Sequence, residues 1–380
     1  MNDHQSVITL KEVKSRRDLR RFVNFPHQLY RNHPNWVPAL RSDDFNTLHW
    51  DKNPAFTFCD ARYWLALKDG KIVGRIAGII NHQAIEKWGK AYARFGWVDF
   101  VDDLEVVKTL LGAVETWALE KGLSAVHGPL GFTDLDREGM LVEGFDQLGT
   151  LATMYNEPYY SRHIEAVGYQ KDIDWVEYLI TVPEKGVERI DKLAEIVQKR
   201  YGLHYLQASR KKDLLQYAGQ LFDLLDETYA HLYGTTFLSK EQKEAYTKQY
   251  FGFVSPDFVP CVLDSEGRMI GFGIAMPSLS HALQRAKGRL FPFGFIYLLR
   301  ALRKNDRGDL YLIGVKPEYQ GKGITSMIIS RMIAKTIKHG IRVVESNPEL
   351  ENNLPVQAQW KYFEHHQHKR RRVFIKTLKE

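Results

Sequence analysis

Residues 315–325 read VKPEYQGKGIT, and this stretch decides how the second half of the chain is interpreted. The apolar run at residues 310–315 predicts a strand, and the spacing of Ile324, Met327 and Ile328 predicts an amphipathic helix. Glycines at such a junction let the backbone approach a phosphate closely, while the first N–H groups of the helix point at the anion. A bare Gly-x-Gly also fits a plain strand-to-helix turn, so both interpretations stay open at this point.

The complete string resembles the acyl-CoA loop of the GNAT superfamily, which reads Gln/Arg-x-x-Gly-x-Gly/Ala after a strand. Gln320 and Gly323 carry the match, and Thr325 departs from it because the family usually has Gly or Ala there. The resemblance implies acyl-CoA (acetyl-CoA or longer) as donor substrate. The donor-binding residues it implies are Ile313, Val315, Gln320, Gly321, Lys322, Gly323, Ile324 and Thr325.

The resemblance also implies a reaction, in which a backbone N–H of the strand polarises the thioester and a primary amine attacks it. Glu345, which follows an apolar run, is a candidate base, and an ion-paired or solvated glutamate is the alternative. Tyr362 is the candidate acid that protonates the thiolate on the late helix. Core packing is an equal alternative for Tyr362, because Trp360 and Phe363 lie beside it.

The first half of the chain predicts a similar order of strands and helices without such a loop. An Asp69-Gly70 turn joins two apolar runs and predicts a hairpin. Asp102 and Glu105 resemble a capping box in front of a helix. Acids therefore stand where a phosphate needs N–H groups, which argues against pyrophosphate binding in this half.

The predicted fold class is α/β (α+β), with tandem GNAT-like domains that are each a mixed, mostly antiparallel sheet flanked by helices. We predict a degenerate domain without a CoA loop at residues 1–183 and an acyl-CoA-binding domain at residues 184–380. Residues 156–169 look like a late GNAT motif, a helix capped by Asn156. Over most of its length the chain is similar to the YghO-like bacterial proteins, on residues 128–129, 144–146, 156–160 and 369–376. The candidate substrate-binding residues are Asn156, Tyr159, Tyr160 and, in the loop at 228–237, Tyr233.

Composition limits the location and the partners. The chain has 380 residues, a formal net charge of +7 and two distant cysteines, Cys59 and Cys261. A reducing cytoplasm is the simple interpretation, since the N-terminus has no secretory pattern and no apolar run approaches bilayer length. No metal is expected, because His365, His366 and His368 lack acidic or cysteine ligands at useful spacing and read as a surface tract. Nucleic acid is an unlikely partner, since the basic run at 369–372 leads into an apparent strand.

Residues 281–305 contain no acid and enclose the apolar run LFPFGFIYLL at 290–299, flanked by lysines and arginines. Such a segment suits a peripheral membrane contact through residues 285–304 or the entrance of an acyl chain, and a buried helix is the equal alternative. The acceptor is predicted to be a small-molecule or lipid amine, and the donor a long-chain acyl-CoA. The alternatives are an aminoacyl-tRNA-dependent transferase and a non-catalytic acyl-CoA- or lipid-binding protein.

Overall fold

The computed structural model describes residues 7–378 and divides them into two compact units. Among the described residues, unit 1 comprises 7–176, 280–295 and 369–378, and unit 2 comprises 177–279 and 296–368. Residues 1–6, which begin the segment considered for a secretory signal, lie outside the described part of the chain.

Unit 1 alternates strands and helices, as the sequence predicts. Its strands are β1 (Ile8–Glu12), β2 (Cys59–Lys68), β3 (Lys71–Asn81), β4 (Tyr92–Phe100), β5 (Ala125–Gly128) and β6 (Met140–Glu143). Its helices are α1 (Arg16–Leu29), α2 (Arg41–Leu48), α3 (His82–Trp88), α4 (Leu104–Glu120) and α5 (Tyr159–Ala166), with a 3-10 turn at Pro54–Thr57. Strand β7 (Gln170–Thr181) begins in unit 1 and ends in unit 2.

Unit 2 follows with a second set of elements. Its helices are α6 (Glu188–Tyr201), α7 (Lys211–Leu215), α8 (Ala218–Tyr229), α9 (Lys240–Tyr250), α12 (Ile324–Lys338) and α13 (Leu354–Gln357). Its strands are β8 (His204–Tyr205), β9 (Cys261–Leu263), β10 (Met269–Pro277), β11 (Arg307–Val315), β12 (Val343–Ser346) and β13 (Glu349–Leu350). Helix α10 (Ser280–Ala286) belongs to unit 1, while α11 (Gly294–Arg303) and β14 (His365–Thr377) each run from one unit into the other. Further 3-10 turns lie at Pro256–Phe258, Pro317–Tyr319 and Ala358–Tyr362.

The sheet of unit 1 runs in the order β1-β2-β3-β4-β5-β14, and only the β4–β5 pair within this order is parallel. Side chains on β2 alternate between two cores, because successive residues of a strand point to opposite faces. Trp64 packs with the apolar face of α4, and Tyr63 packs with that of α1. The sheet is therefore mixed, mostly antiparallel and covered by helices on both faces, as predicted.

The sheet of unit 2 runs in the order β7-β12-β11-β10-β9-β8, and its parallel pair is β11–β12. One face packs against α6 and α12, through Val197, Ile324 and Ile328. Helix α8 contacts β10 and β11 on the other face, where the Thr228 hydroxyl lies close to Gly314. The two units thus repeat one plan. Each has a mixed sheet with one parallel pair of strands, and a helix connects the two strands of that pair.

The predicted single boundary at 183/184 lies close to the observed division at 176/177, but two later segments belong to unit 1. The Arg41 N–H donates to the Gly288 carbonyl at 3.0 Å, and the Gln284 side chain donates to the Pro34 carbonyl at 2.7 Å. The end of β14 pairs with β5, where Phe374 lies opposite Gly128. Residues 184–380 are therefore not one continuous domain, because these contacts join distant parts of the sequence.

Several local expectations change at the boundaries of elements. Helix α5 begins at Tyr159, and Asn156 does not cap it because its side chain bonds both backbone groups of Leu141. Helix α4 is capped by Asp103, whose carboxylate accepts the Glu105 N–H, while Asp102 pairs with His163 at 2.6 Å. The cap of α4 is thus one residue later than the sequence predicts.

Candidate acyl-donor site

The loop between β11 and α12 has the conformation that its glycines predict. Gly321 and Gly323 both adopt left-handed backbone angles, with φ of 72° and 85°, which side chains of L-residues disfavour. Gly323 is the N-cap of α12, and a Cβ atom there would lie 2.8 Å from Cγ2 of Val197 on α6. Both the backbone angle and the approach of α6 therefore favour glycine at 323.

The N-terminus of α12 has the electrostatics of an anion site. In the part of the chain that the structure describes, no side chain caps this helix, since Gly323 occupies the N-cap. The helix begins with Ile324 and Thr325, whose N–H groups belong to the uncapped first turn. The Lys322 ammonium lies 5.3 Å from the ring centre of Tyr319 and adds positive charge beside this turn. The residues present thus suit a pyrophosphate.

The side chains of two residues that are predicted to bind acyl-CoA, Gln320 and Ile324, make contacts within the protein. Gln320 is exposed, and its amide donates to the Val315 carbonyl at 3.1 Å, so the side chain spans the loop. The Ile324 side chain is buried in the core beneath α12. Only the backbone of Ile324 faces the loop, which leaves donor binding by these two residues a prediction.

The parallel strands β11 and β12 separate within the sheet. They pair from Arg307 with Val343 to Leu310 with Ser346, and the Asn347 N–H then donates to the Leu310 carbonyl. Tyr311 is skipped in the pairing with β10, which makes it a bulge. Beyond this point β11 continues to Val315, so Ile313 and Val315 lie on the stretch that has left β12.

A tyrosine hydroxyl forms hydrogen bonds with the backbone of this stretch of β11. The Tyr229 hydroxyl, at the end of α8, donates to the Ile313 carbonyl at 3.2 Å and accepts the Ile313 N–H at 3.3 Å. Sequence reasoning did not single out Tyr229. Its partner is 84 residues away, so no local pattern carried the signal.

The predicted base lies in a buried group of polar side chains. Glu345 is inside β12 rather than past its end, is 7% exposed, and stands opposite Asp309 in the pairing with β11. The Nε2 atom of His368 is 3.4 Å from the Glu345 carboxylate, and both side chains are buried. His368 therefore does not belong to a surface tract, unlike the exposed His365 and His366.

Tyr311 completes this group from the bulge. Burial raises the pKa of Tyr311 well above its ordinary value, and neighbouring Asp309 raises it further. The phenol therefore stays neutral at physiological pH, and its hydroxyl lies 3.3 Å from the Asp309 carboxylate. Glu345 can accept a proton here, while the single hydroxyl hydrogen of Tyr311 is donated to Asp309.

Glu349 is a second buried acid that sequence reasoning missed. It lies on β13, where burial raises the pKa of its carboxyl to about 7, against hydrogen bonds from Trp360 and Ser346. The Trp360 indole N–H donates to one of its oxygens at 2.9 Å. The sequence around Glu349 gave no signal, because only folding brings Trp360 over its carboxylate.

Tyr362 is more exposed to solvent than expected for a catalytic acid in a buried site. It lies in the 3-10 turn at Ala358–Tyr362 and is 38% exposed. The Arg189 guanidinium lies 5.4 Å from its ring centre and Lys361 lies 5.0 Å away. Neither core packing nor contact with the thiolate follows from these contacts, and the acid role of Tyr362 stays a prediction.

The candidate substrate residues of unit 1 lie in its core. Tyr160 and Asn156 are fully buried, and the Tyr160 hydroxyl accepts the Phe100 N–H at 3.1 Å. The Tyr159 hydroxyl donates to the Phe100 carbonyl at 2.7 Å. These surroundings favour a packing role, and substrate binding by the three residues stays a prediction without support from their contacts. Tyr233 is half-buried in the turn after α8 and also stays a prediction.

Two further features concern metal and membrane. Among residues 7–378, no group of three or more His, Cys, Asp and Glu side chains is arranged to hold a metal ion. No helix in the same range is long and apolar enough to cross a bilayer.

Comparison with known proteins defines the class. Residues 220–363 match the acetyltransferase (GNAT) family. This range contains most of α8, the parallel pair, the glycine loop and Glu345, which are the parts described above. Residues 220–363 are therefore similar to the GNAT acetyltransferases, and N-acyltransferase is the class of enzyme that this match supports.

Individual proteins resemble the chain over most of its length. It is 28% identical to protein YghO of Escherichia coli over 96% of this chain and 94% of that protein. It is 27% identical to the bacterial ceramide synthase of Caulobacter vibrioides over 81% of this chain and 80% of that protein. A tandem GNAT protein from the clavulanic acid biosynthesis pathway shares the fold, with a TM-score of 0.55 over 98% of each chain and 12% identity.

Proposed function

We propose that unit 2 transfers an acyl group from acyl-CoA to a primary amine. The observation that carries the proposal is the separation of β11 from β12 directly before an uncapped, glycine-led helix. An extended donor arm can pair with the departing strand while its pyrophosphate lies at the helix N-terminus. The extended arm and the pyrophosphate of the donor then bind at the two ends of one loop, on the strand before it and on the helix after it.

Each residue has a distinct task in this mechanism. The first turn of α12 and Lys322 bind the pyrophosphate, and the backbone of Ile313 and Val315 binds the pantetheine arm. Glu345 takes a proton from the attacking amine, with His368 beside it. The amine nitrogen forms a bond to the acyl carbon, the carbon–sulfur bond breaks, and the thiolate leaves with a proton.

We further propose a long-chain donor and a lipid amine as acceptor. One support is the relative named bacterial ceramide synthase, since a ceramide is a long-chain base that carries an N-acyl chain. The other support is the segment at residues 285–304. Burial of each methylene contributes about 0.8 kcal/mol, so an apolar route for the chain dominates substrate choice.

The segment at residues 285–304 has several apolar side chains that are exposed, which favours an interaction surface over a buried helix. Phe291, Phe293 and Leu299 are 77%, 66% and 50% exposed. Leu298, in contrast, is buried at 1% and holds α11 in place. Single exposed apolar residues are ordinary, but several on one short segment indicate an interaction surface.

Exposed cations flank these phenylalanines and favour a partner with anionic groups. Lys287, Arg289, Arg300, Arg303 and Lys304 are all exposed, and residues 281–305 contain no acid. Aromatic side chains enter the lipid interface, while lysines and arginines attract anionic head groups. We propose that this segment makes a peripheral contact with an anionic membrane from the cytoplasm, where the donor and the lipid amine meet the enzyme.

A product assay tests the reaction and its chain length together. The full-length protein is incubated with acetyl-CoA or palmitoyl-CoA and with sphinganine or a small soluble amine, and the amide is identified by mass spectrometry. Released CoA can be followed with a thiol reagent, because Cys59 and Cys261 are buried and burial raises the pKa of each thiol to about 12. We expect the fastest turnover with palmitoyl-CoA and sphinganine.

Three outcomes contradict different parts of the proposal. Binding of acyl-CoA without turnover of any amine contradicts the reaction. Faster turnover of acetyl-CoA with the small amine contradicts the chain length and the lipid acceptor. Steeply salt-dependent binding of RNA together with transfer from an aminoacyl-tRNA contradicts the acyl-CoA donor.

Membrane contact is tested by co-sedimentation with vesicles of phosphatidylglycerol and phosphatidylcholine. Replacing Phe291, Phe293 and Leu299 by Ser should reduce the bound fraction about tenfold, because apolar area no longer enters the interface. The matched control replaces three exposed leucines elsewhere, Leu119, Leu215 and Leu354, by Ser. If wild type stays in the supernatant at low salt, the proposed membrane contact is wrong.

A further inference from the structure

The Tyr229 hydroxyl lies where a neighbouring strand would otherwise bond to β11. In an antiparallel pair, backbone groups alternate between the partner strand and the opposite side. The Lys316 N–H donates to the Ile270 carbonyl toward β10, so Ile313, an odd number of residues away, faces the opposite side. There the phenol oxygen bonds both its N–H and its carbonyl.

The backbone around Tyr229 is fixed by its neighbours. The Thr235 hydroxyl donates to the Tyr229 carbonyl at 2.9 Å, and the Thr228 hydroxyl donates to the Leu224 carbonyl at 2.7 Å. Tyr229 itself is half-buried. The phenol is therefore held at the strand by α8 and the turn that follows it, rather than by chance contact of a mobile side chain.

A donor that bonds to Ile313 must exchange with this phenol. When the thioester oxygen takes the Ile313 N–H, the Tyr229 oxygen loses that proton donor, while its own O–H still donates to the carbonyl of the same residue, close to the thioester oxygen. A thioester oxygen that gains negative charge during the reaction is a stronger acceptor than a neutral peptide carbonyl, so it can draw the phenol hydrogen away from Ile313.

We propose that Tyr229 is a catalytic residue, whose hydroxyl joins the Ile313 N–H as a second hydrogen-bond donor to the thioester oxygen. The proposal rests on the proposed function of unit 2 as an acyl-CoA transferase. It adds a residue that the donor loop does not predict, and it places α8 at the reacting atoms.

The step balances without proton transfer from Tyr229. As the amine nitrogen bonds to the acyl carbon, the carbonyl electron pair moves onto oxygen, where the two donors stabilise the negative charge. The pair returns when the carbon–sulfur bond breaks, and the leaving thiolate takes the proton that the amine gave up to Glu345. Two donors aimed at the developing oxyanion act mainly on the transition state, so they affect kcat more than donor binding.

The substitution Tyr229→Phe tests this assignment, with Tyr205→Phe as its matched control. The Tyr205 hydroxyl also donates to a backbone carbonyl in unit 2, that of Met327 at 2.9 Å, but on α12 rather than at the strand. We expect Tyr229→Phe to lower kcat about 100-fold, since one donor to the oxyanion is lost. The KM for the donor should change by less than about fivefold, the effect of one ordinary hydrogen bond. Tyr205→Phe should leave kcat within about twofold.

A binding comparison separates this inference from the proposed function. Calorimetry measures the affinity of each variant for palmitoyl-CoA and for S-hexadecyl-CoA, a thioether without the carbonyl oxygen. We expect wild type to prefer the thioester, and Tyr229→Phe to lose about fivefold of that preference. If wild type binds neither molecule, the proposed function is wrong. If both variants bind both molecules with the same preference, or if kcat of Tyr229→Phe equals that of wild type, Tyr229 is not catalytic.

Discussion

The β4–α4 junction of unit 1 and the β11–α12 junction of unit 2 have the same order of elements. They differ in which groups occupy the space beside the strand and the N-terminus of the helix. In unit 1, β4 pairs with β5 only from Tyr92 to Arg94, and the chain after β5 then closes the gap. The Leu130 N–H donates to the Phe95 carbonyl at 2.8 Å, and a Cβ at Gly96 would lie 2.4 Å from the Leu130 carbonyl oxygen. No room remains for a donor arm beside this strand.

The N-termini of α4 and α12 also differ in which group occupies them. Asp103 caps α4 with its own carboxylate and also pairs with Lys68 at 2.9 Å, whereas Gly323 leaves α12 without a side-chain cap. A carboxylate at a helix N-terminus occupies the place of an anionic ligand. The comparison shows what separates the two units: in unit 1 the chain itself fills the gap between the strands, and an acid of that unit occupies the helix N-terminus.

The largest effect is expected from giving unit 2 the acid that unit 1 has. A carboxylate in Gly323→Asp should weaken acyl-CoA binding about 1000-fold, because a like charge near the pyrophosphate costs about 4 kcal/mol. Calorimetry measures the affinity. Gly323→Asn is the control of equal size, and it should lose much less because it tolerates the left-handed backbone and carries no charge. Equal affinities of the two variants would contradict the anion site.

An effect of intermediate size is expected from the tyrosines whose hydroxyls bond to the backbone of β4 and β11, which are Tyr160 and Tyr229. Tyr160→Phe leaves the buried Phe100 N–H without its acceptor and should lower the free energy of unfolding by about 1–3 kcal/mol. The kcat of folded protein should stay unchanged, in contrast to Tyr229→Phe. Urea unfolding and kcat are measured on the same samples. A large loss of kcat without loss of stability would show that Tyr160 reaches the reaction after all.

The control for this pair is Tyr159→Phe. Its hydroxyl donates to the Phe100 carbonyl from a half-buried position, so its loss leaves an acceptor that water can reach. A smaller loss of stability than for Tyr160→Phe is expected. Equal losses would mean that the strand end of unit 1 is more open than its contacts indicate.

The smallest effect concerns pH and the buried acid of unit 2. Burial raises the pKa of Glu349 to about 7, so the folded state holds this proton more tightly than the unfolded state. The stability that the neutral acid contributes is present below about pH 4.5 and is lost as pH rises through about 7. Glu349→Gln avoids this loss and should gain on the order of 1 kcal/mol over wild type between pH 5 and pH 8.5.

Thermal unfolding at the two pH values measures this gain. Glu244→Gln, at an exposed position on α9, is the control and should show the same difference from wild type at both. A Glu349→Gln variant whose advantage is constant or shrinks with rising pH would contradict the raised pKa. Unit 1 offers a parallel case, since burial raises the pKa of Asp136 to about 6 despite two backbone hydrogen bonds.

The sequence by itself determined the features whose signals lie within a few residues. The Asp69-Gly70 turn, the amphipathic α12 and the glycine loop all depend on neighbouring side chains and backbone angles, and each is found as predicted. The strand-to-helix order of both units followed from the same local patterns.

Only the tertiary structure decided which distant groups meet. The Tyr229 phenol on Ile313, the His368 imidazole beside Glu345 and the Trp360 indole on Glu349 join residues that no spacing rule connects. The return of residues 280–295 and 369–378 to unit 1 has the same cause. Local conformation is set by short-range sterics and hydrogen bonds, whereas these contacts depend on how whole faces of helices and strands are buried against each other.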